Sequence, residues 1–517
     1  MVRGTVLLAA VLVAVPAPAR ADETLKAELE KIIDGPHYRQ ASWGVLIVDL
    51  ESAQSLYERN ADKLFIPASV TKLYTVATAL DALGKDYRFE TPVYRRGRLD
   101  ENGQLAGDLI LLASGDLTMG GRTDANGSIA VTDHDHTYAN GNEDGTLTEP
   151  DPLAGLDALA KQVAESGIKR VRGDVLVDDR LFEKAAGTGS GPSRLTPIMI
   201  NDNLIDVVVT PAAAAGERAT VKTRPRTTAI QVDAQIETVA SGRRTTVRVT
   251  APQPGRLVVR GQIAVGHKPL LRVHEVEDAA SFARSLFIEA LRRAGVSVEA
   301  SPLGVNHEEP LPRLDSYAKL TRAALFTSPP FAEEMKLILK VSHNLHASTL
   351  PLLVAVKHGK RTLADGLHLQ HDFLARAGVD VGTISFGGGA GGDRADYTTP
   401  RATVQLLRYM TTRPDFTAYD AALPVLGSDG TLATSVKADS PVRGKVRAKT
   451  GTYFLSNTMN RNFLMTSKTL AGYMTTSRGR KLAVVFFVNH VPLESSAELP
   501  REGQALGQLC EIVYRCE

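Results

Sequence analysis

The chain has 517 residues, more than one hydrophobic core normally organises, so several domains are expected. Its 60 Lys and Arg nearly balance 58 Asp and Glu, which removes any electrostatic case for a nucleic-acid or polyanion partner. The two cysteines, Cys510 and Cys516, are too few to make a metal site. In an oxidising compartment they could close a small loop; otherwise they stay as thiols.

Residues 1–21 read as an export signal. Arg3 supplies a positive start, Thr5–Val15 an apolar run, and Ala19-Arg20-Ala21 a small-residue cleavage site before Asp22. The apolar run is far shorter than the roughly 20 residues that span a bilayer. Cleavage would also remove Arg3 and Arg20, leaving 58 basic against 58 acidic residues. No later segment is long and apolar enough to span, and the sequence beyond Leu482–Val488 shows no basic amphipathic tail. A periplasmic or otherwise extracytoplasmic mature protein with no transmembrane anchor is expected.

In chain order, Ser42–Leu50 is strand-like, and a helical pattern then runs from Pro67 through Leu73, Val76 and Leu80 to Gly84. Short strands follow at Thr91–Tyr94, Leu109–Ala113 and Asp174–Asp178, with a helix near Ala154–Glu165 between the last two. Residues 181–271, rich in Thr, Val, Arg and Pro, read as antiparallel β structure with little helix. Helical periodicity returns at Ala279–Ala294 and dominates Phe331–Lys357, and strands close the chain at Val446–Thr450, Leu470–Thr475 and Leu482–Val488. These textures suit domains inserted within one another.

Three short motifs occur in order: Ser69-x-x-Lys72, Ser342-His343-Asn344 and Lys449-Thr450-Gly451. Ser-x-x-Lys alone is weak, since Ser166…Lys169 and Ser316…Lys319 also match. Context favours Ser69. On a helix, positions three apart share a face, so the Lys72 amine can reach the Ser69 hydroxyl. A helix start also offers free N–H groups to developing negative charge. Ser166 stands at a probable helix end, and Ser316 follows an acidic, Pro-containing stretch. There is no Gly-x-Ser-x-Gly elbow and no evident His-based triad. A lysine can act as the base if burial and a second cation lower its pKa, and Lys449 could be that cation or could bind a substrate carboxylate.

The three motifs resemble the active-site signature of penicillin-binding proteins and serine β-lactamases. The likeness narrows to the class C low-molecular-mass penicillin-binding proteins, the D-alanyl-D-alanine carboxypeptidase/endopeptidase family. Phe65–Gly84, Ser114-Gly115-Asp116-Leu117-Thr118, Gly173–Asp179, Ser328–Asn344, Asp429-Gly430-Thr431-Leu432, Ala448–Thr452 and Leu470-Ala471-Gly472-Tyr473 all resemble segments of that family. The resemblance implies a multi-domain α/β fold: a penicillin-binding/β-lactamase-like transpeptidase core with two nested inserted domains, the innermost β-rich. The expected boundaries are 22–90 and 325–517 for the core, 91–180 and 272–324 for the second domain, and 181–271 for the third.

The resemblance further implies Ser69 as nucleophile, Lys72 as base and Ser342 as proton relay. Asn344 would hold a substrate amide, and Lys449, Thr450, Gly451 and Thr452 would line the site for the terminal carboxylate and the oxyanion. The implied function is a serine D-Ala-D-Ala carboxypeptidase, and also a DD-endopeptidase, acting on peptidoglycan stem peptides without a cofactor and inhibited by β-lactams. The alternatives are a binding or scaffolding protein on the same fold that has lost turnover, or a β-lactamase or esterase.

Two departures stand out. Where the family carries an Asp-Gly-Ser-Gly-Leu-Ser-type segment, this chain reads Phe386–Arg394, whose run Gly387–Gly392 is expected to be a flexible wall of the cleft. Residues 453–469 are longer than usual and could reshape the pocket or form a plain surface hairpin. Asp133-His134-Asp135-His136 has metal-ligand chemistry but sits in a polar stretch that reads as a solvated loop. His368 and His371 read as surface residues on a helix.

Overall fold

The computed structural model describes residues 19–517, with side chains from residue 23. Residues 1–18, which hold most of the expected export signal, lie outside the described residues. Helix α1 (Ala19–Ile33) leads into β1 (Ser42–Asp49), β2 (Ser55–Arg59) and α2 (Thr71–Leu83). Strands β3 (Glu90–Leu99) and β4 (Gln104–Leu112), α3 (Ala154–Glu165), β5 (Arg170–Val171) and β6 (Val175–Asp178) follow. Then come β7 (Ala185–Ala186), β8 (Arg194–Leu195), β9 (Leu204–Thr210), β10 (Thr220–Arg224), β11 (Gln231–Val239), β12 (Thr246–Gln253), β13 (Arg256–Ala264) and β14 (Leu270–Glu275).

The chain returns through α4 (Ala279–Arg293), β15 (Ser297–Val298) and β16 (Thr321–Thr327). A helical run follows: α5 (Phe331–Lys336), α6 (Asn344–Lys357), α7 (Leu363–Arg376), α8 (Pro400–Thr411) and α9 (Phe416–Ala421). It ends in β17 (Val446–Asn457), β18 (Asn462–Thr475), β19 (Lys481–Asn489), β20 (Val491–Leu493) and α10 (Leu499–Cys516).

The two ends of the chain share one antiparallel sheet, ordered β17-β18-β19-β1-β2, with β20 beside β18. Strand β1 is buried along nearly its whole length because helices cover both faces. Side chains alternate between faces along a strand. Val45 and Ile47 accordingly pack with Leu25 and Leu29 of α1 and Leu506 and Leu509 of α10. Leu46 and Val48 pack instead with Leu73 and Val76 of α2 and Leu406 of α8.

A second sheet, β15-β5-β4-β3-β16 with β6 beside β4, packs against α3 and α4. Two three-stranded sheets, β10-β9-β14 and β11-β13-β12, account for most of 204–275.

The final helix was not expected. Gly503, Gly507 and the polar Glu502, Gln508 and Glu511 break up its apolar run in the sequence, yet Ala505, Leu506, Leu509, Cys510 and Val513 line one face and fill the sheet core. Its amphipathic face is therefore spent inside the protein. Cys510 and Cys516 lie six apart on this one helix and are free thiols, Cys510 buried with its pKa pushed up to about 12 by that burial. No helix among the described residues is long and apolar enough to cross a membrane.

Candidate active site

Ser69 lies in a single 3-10 turn, Ala68–Val70, that feeds directly into α2. Helix α2 is buried from Thr71 to Leu80 and is apolar around most of its circumference, as a central core helix must be. Several of its polar groups find partners: Thr75 donates to the Gly389 carbonyl at 2.9 Å, and Tyr74 bonds the Thr398 and Thr403 hydroxyls. The turn is fastened to the sheet from below. Ser467 donates to the Ile66 carbonyl at 2.6 Å, Thr469 to the Pro67 carbonyl at 2.9 Å, and the Ile66 N–H to Asn489 Oδ1 at 2.8 Å.

Lys72, fully buried, brings the first two motifs together. Its Nζ lies 2.9 Å from Ser69 Oγ, 2.7 Å from Asn344 Oδ1 and 2.7 Å from the Ala390 carbonyl. Two of these partners can only accept, whereas the third, a hydroxyl, can also donate. As an ammonium Lys72 donates to all three; once neutral, it keeps two N–H bonds, to Asn344 and Ala390, and can turn its lone pair to the Ser69 proton. Burial, then the neighbouring Lys449 charge, holds the Lys72 pKa well below the ordinary lysine value. The nearby Asp396, itself raised to about 6 by burial, opposes this only in part.

The second motif sits at a break in the helical run. A π-turn over Leu337–Val341 ends at Ser342, which takes a left-handed conformation (φ 68°), and α6 begins at Asn344. His343, the middle residue, caps α6 by accepting the His346 N–H at Nδ1, 3.3 Å away. Asn344 is held from both sides, because its Nδ2 donates to the Ser190 carbonyl at 2.9 Å. Ser342 is fixed through its carbonyl, which accepts from the Tyr138 hydroxyl at 2.7 Å. Ser69, Lys72 and Asn344 thus form one bonded set, and among the described residues the Ser342 hydroxyl makes no hydrogen bond within it.

The third motif lies on β17, at the open edge of the sheet. Lys449 is buried, bonds the Thr450 carbonyl at 2.7 Å, and has its pKa brought down to about 7 by burial and by Lys468. The Thr450 hydroxyl donates to Thr431 Oγ1 at 2.6 Å. Gly451 allows the edge strand to lie against the nucleophile turn, since a Cβ there would collide with the Thr469 hydroxyl and stand 2.6 Å from the Pro67 carbonyl. The Thr452 side chain is exposed in the cleft.

The glycine run differs from expectation. Gly388, Gly389, Ala390 and Gly391 are buried, and several of these residues have no room for a side chain. A Cβ at Gly389 would strike the Ala347 carbonyl, one at Gly391 the Ala68 carbonyl and one at Gly392 the Gly189 nitrogen. Gly391 also has φ +86°. This is a packed shelf under the nucleophile turn rather than a flexible wall, and it presents the Ala390 carbonyl to Lys72.

The Asp133–His136 stretch is also corrected. Asp133 and His134 are exposed, but Asp135 and His136 are buried in an ion cluster directly behind the second motif. Arg122 grips Asp135 through two nitrogens, at 2.7 and 3.1 Å, and donates to Asp202 at 2.8 and 3.2 Å. His136 bridges Asp206 and Asp202 at 2.7 and 2.9 Å. Burial works against the charged form of His136, but Asp206, Asp202 and Asp135 outweigh it and raise its pKa to about 10. Burial also opposes Asp202, and the Arg122 guanidinium outweighs it, leaving Asp202 well below the carboxylate range. Glu334 is pushed the other way, well up, by burial and by Asp116.

Asp202, His343 and His346 offer ligand atoms within 4.8 Å of one another. Their chemistry suits an internal ion network better than a metal. His343 Nδ1 accepts a backbone N–H, which leaves the neutral ring's proton on Nε2, facing the trio. The Arg122 guanidinium lies 3.4 Å from that same Nε2.

The rival Ser-x-x-Lys pairs are ordinary surface features, with Ser166 bonded back to the Val163 carbonyl and Ser316 to Arg313. His368 and His371 are exposed on α7. The 453–469 extension is a long hairpin of β17 and β18 whose outer part leaves Phe454, Leu455 and Met459 exposed. Sequence reasoning missed Ser190, Tyr138, Arg122 and Asp202. The Gly/Ser-rich run around Ser190 and the lone Arg122 among glycines were the available signals.

The sequence matches the D-Ala-D-Ala carboxypeptidase 3 (S13) family over residues 25–509. It is 28% identical over 487 residues to a D-alanyl-D-alanine carboxypeptidase of Actinomadura sp. (strain R39), covering 87% of this chain and 83% of that protein. It is 25% identical over 461 residues to the D-alanyl-D-alanine carboxypeptidase DacB of Haemophilus influenzae, covering 86% and 85%. The fold is similar to the crystal structure of penicillin binding protein 4 from Haemophilus influenzae, with a TM-score of 0.71 at 22% identity over 95% of this chain and 99% of that one. The chain belongs to the D-Ala-D-Ala carboxypeptidase 3 (S13) family and is a serine peptidase on the penicillin-binding fold.

Proposed function

We propose that the chain trims and cuts peptidoglycan stem peptides as a D-Ala-D-Ala carboxypeptidase and DD-endopeptidase, through an acyl-enzyme on Ser69. The placement of Lys72 Nζ carries this reading: a buried amine 2.9 Å from Ser69 Oγ whose other two contacts, Asn344 and Ala390, can only accept, so that the neutral form turns its lone pair to Ser69. Lys72 takes the Ser69 proton as Oγ attacks the carbonyl of the penultimate D-alanine. The backbone N–H groups of Ser69 and Thr452 receive the oxyanion, each such donor being worth about 3–4 kcal/mol of barrier. Collapse of the tetrahedral adduct breaks the peptide bond, with Ser342 relaying a proton to the departing amine. Water then attacks the ester, again with Lys72 as base. Asn344 holds the substrate amide, and Lys449, Thr450 and Thr452 hold the terminal carboxylate.

A β-lactam presents an acyl group and a carboxylate in a similar arrangement and so acylates Ser69. The site is placed outside the cytoplasm by removal of residues 1–21. We place the core at residues 22–90 and 325–517, the second domain at 91–180 and 272–324, and the β-rich third domain at 181–271. The test is intact mass of the purified protein with and without excess penicillin, followed by peptide mapping. An adduct on Ser69, absent in Ser69→Ala, is expected. A folded protein that takes up no drug refutes the active-peptidase reading and favours a binding role, whereas rapid drug turnover without an adduct favours a β-lactamase.

A further inference from the structure

Lys468 lies on β18 directly opposite Thr452, one strand in from the edge that carries the third motif. Directly opposed residues in an antiparallel pair share a face, with Cβ atoms about 5 Å apart, and Thr450 shares it too, two residues back. Lys468 Nζ donates to Thr452 Oγ1 at 2.9 Å. The acid that its charge feels is Glu502, whose two oxygens are already bonded by His37 and Tyr38. A half-buried ammonium therefore rests on a hydroxyl and makes no ion pair among the described residues.

Burial lowers Lys468 to about 8, and Lys468 in turn helps to lower Lys449 to about 7. Lys449 points to the other face of the strand, yet the two cations are near enough to repel, and an anion bound close to both at the strand edge favours their charged forms. The Thr452 geometry has a direct chemical meaning. Because its oxygen accepts from Lys468, its own proton is free to point into the cleft, toward a carboxylate.

We infer that Lys468 is a second cation for the substrate's terminal carboxylate, acting at Thr452 from the neighbouring strand and setting a preference for free-acid termini. The inference rests on the Ser69 acylation reading above, and it adds a specificity residue from the 453–469 extension.

The test is acylation of the purified protein by benzylpenicillin and by benzylpenicillin methyl ester, with rate constants read by intact mass and each variant's melting temperature measured first. The parent should prefer the acid. Lys468→Gln should reduce that preference roughly tenfold, the loss of one charge-assisted hydrogen bond. Lys468→Arg, which keeps the charge, should retain it, and Lys468→Met serves where the Gln variant does not fold. A Gln or Met variant with the parental acid-to-ester ratio, or an Arg variant that loses it as fully, overturns the inference. Absence of acylation of the parent by either compound would instead overturn the Ser69 reading.

Discussion

Arg122→Met is the sharpest test of the buried ion cluster. Arg122 is 3% exposed, and its guanidinium makes five polar contacts: two to Asp135, two to Asp202 and one to His343. Methionine fills much of the volume but leaves two buried carboxylates facing each other with only His136 as counter-charge. Removing one partner of a buried pair costs about 3–5 kcal/mol, because the other charge is left uncompensated. The exposed Arg170–Glu299 pair, whose side chains are 49% and 45% exposed, is the internal control. Arg170→Met should cost less than about 1 kcal/mol. For a chain of 517 residues unfolding together, with an unfolding entropy of about 1 kcal/mol per kelvin, Arg122→Met should lower the melting temperature by roughly 3–5 °C, and Arg170→Met by no more than about 1 °C.

Asp202 is bonded to His346 at 2.7 Å, beneath the turn that carries Ser342 and Asn344, so penicillin acylation should slow as well. Thermal and urea unfolding followed by circular dichroism, with acylation read on the same samples, settles the matter. If Arg122→Met melts no lower than Arg170→Met, the cluster does not hold this junction and the reasoning fails.

Other outcomes follow from the same geometry. His136 is raised to about 10 when folded, above the 6.5 of a free imidazole. Its stabilisation is therefore complete below pH 6.5 and is lost as pH rises to 10, with up to about 5 kcal/mol at stake. Lys449 and Lys468 are lowered by folding and shift stability the opposite way over an overlapping range, so the clean readout is the gap between parent and His136→Gln, which should shrink between pH 7 and 10. Gly391→Ala should cut acylation by more than tenfold, because its Cβ would displace the Ala68 carbonyl beside Ser69, whereas Gly444→Ala, also at positive φ but in open space, should cost only about 1 kcal/mol of stability. Tyr138→Phe removes the bond to the Ser342 carbonyl and should slow acylation several-fold while costing about 1 kcal/mol in urea unfolding; an unchanged rate would show that Ser342 needs no support from this side.

The sequence made some parts of this site readable because their chemistry is local. Ser69 and Lys72 lie one helical turn apart, so their meeting is written in the i, i+3 spacing, and the helix Ala154–Glu165 shows its period openly. Strand β1 was legible as a run of aliphatics. What failed was information that only contacts carry. Gly387–Gly392 has the composition of a mobile loop, and nothing in it announces that backbone atoms from three distant segments press on it. Asp135 and His136 look solvated because their partners Arg122, Asp202 and Asp206 lie up to 70 positions away in the sequence. α10 was hidden because its apolar face is punctuated by glycine and acidic residues.

The contacts that were missed have a common direction. Tyr138 holds the Ser342 carbonyl, Ser190 holds Asn344, and Arg122 holds the Asp202 carboxylate that bonds His346. All four residues come from the long interval between the first and second motifs, and all four act on one turn. That turn needs such support on physical grounds. It joins a π-turn to an α-helix through a non-glycine residue at φ 68°, a conformation that costs of order 1 kcal/mol or more and persists only where its surroundings fix it. The interval is therefore a structural part of the site. It supplies the outer wall that fixes the Ser342 turn and keeps Asn344 facing Lys72, while the sheet and α2 hold Ser69 from the other side.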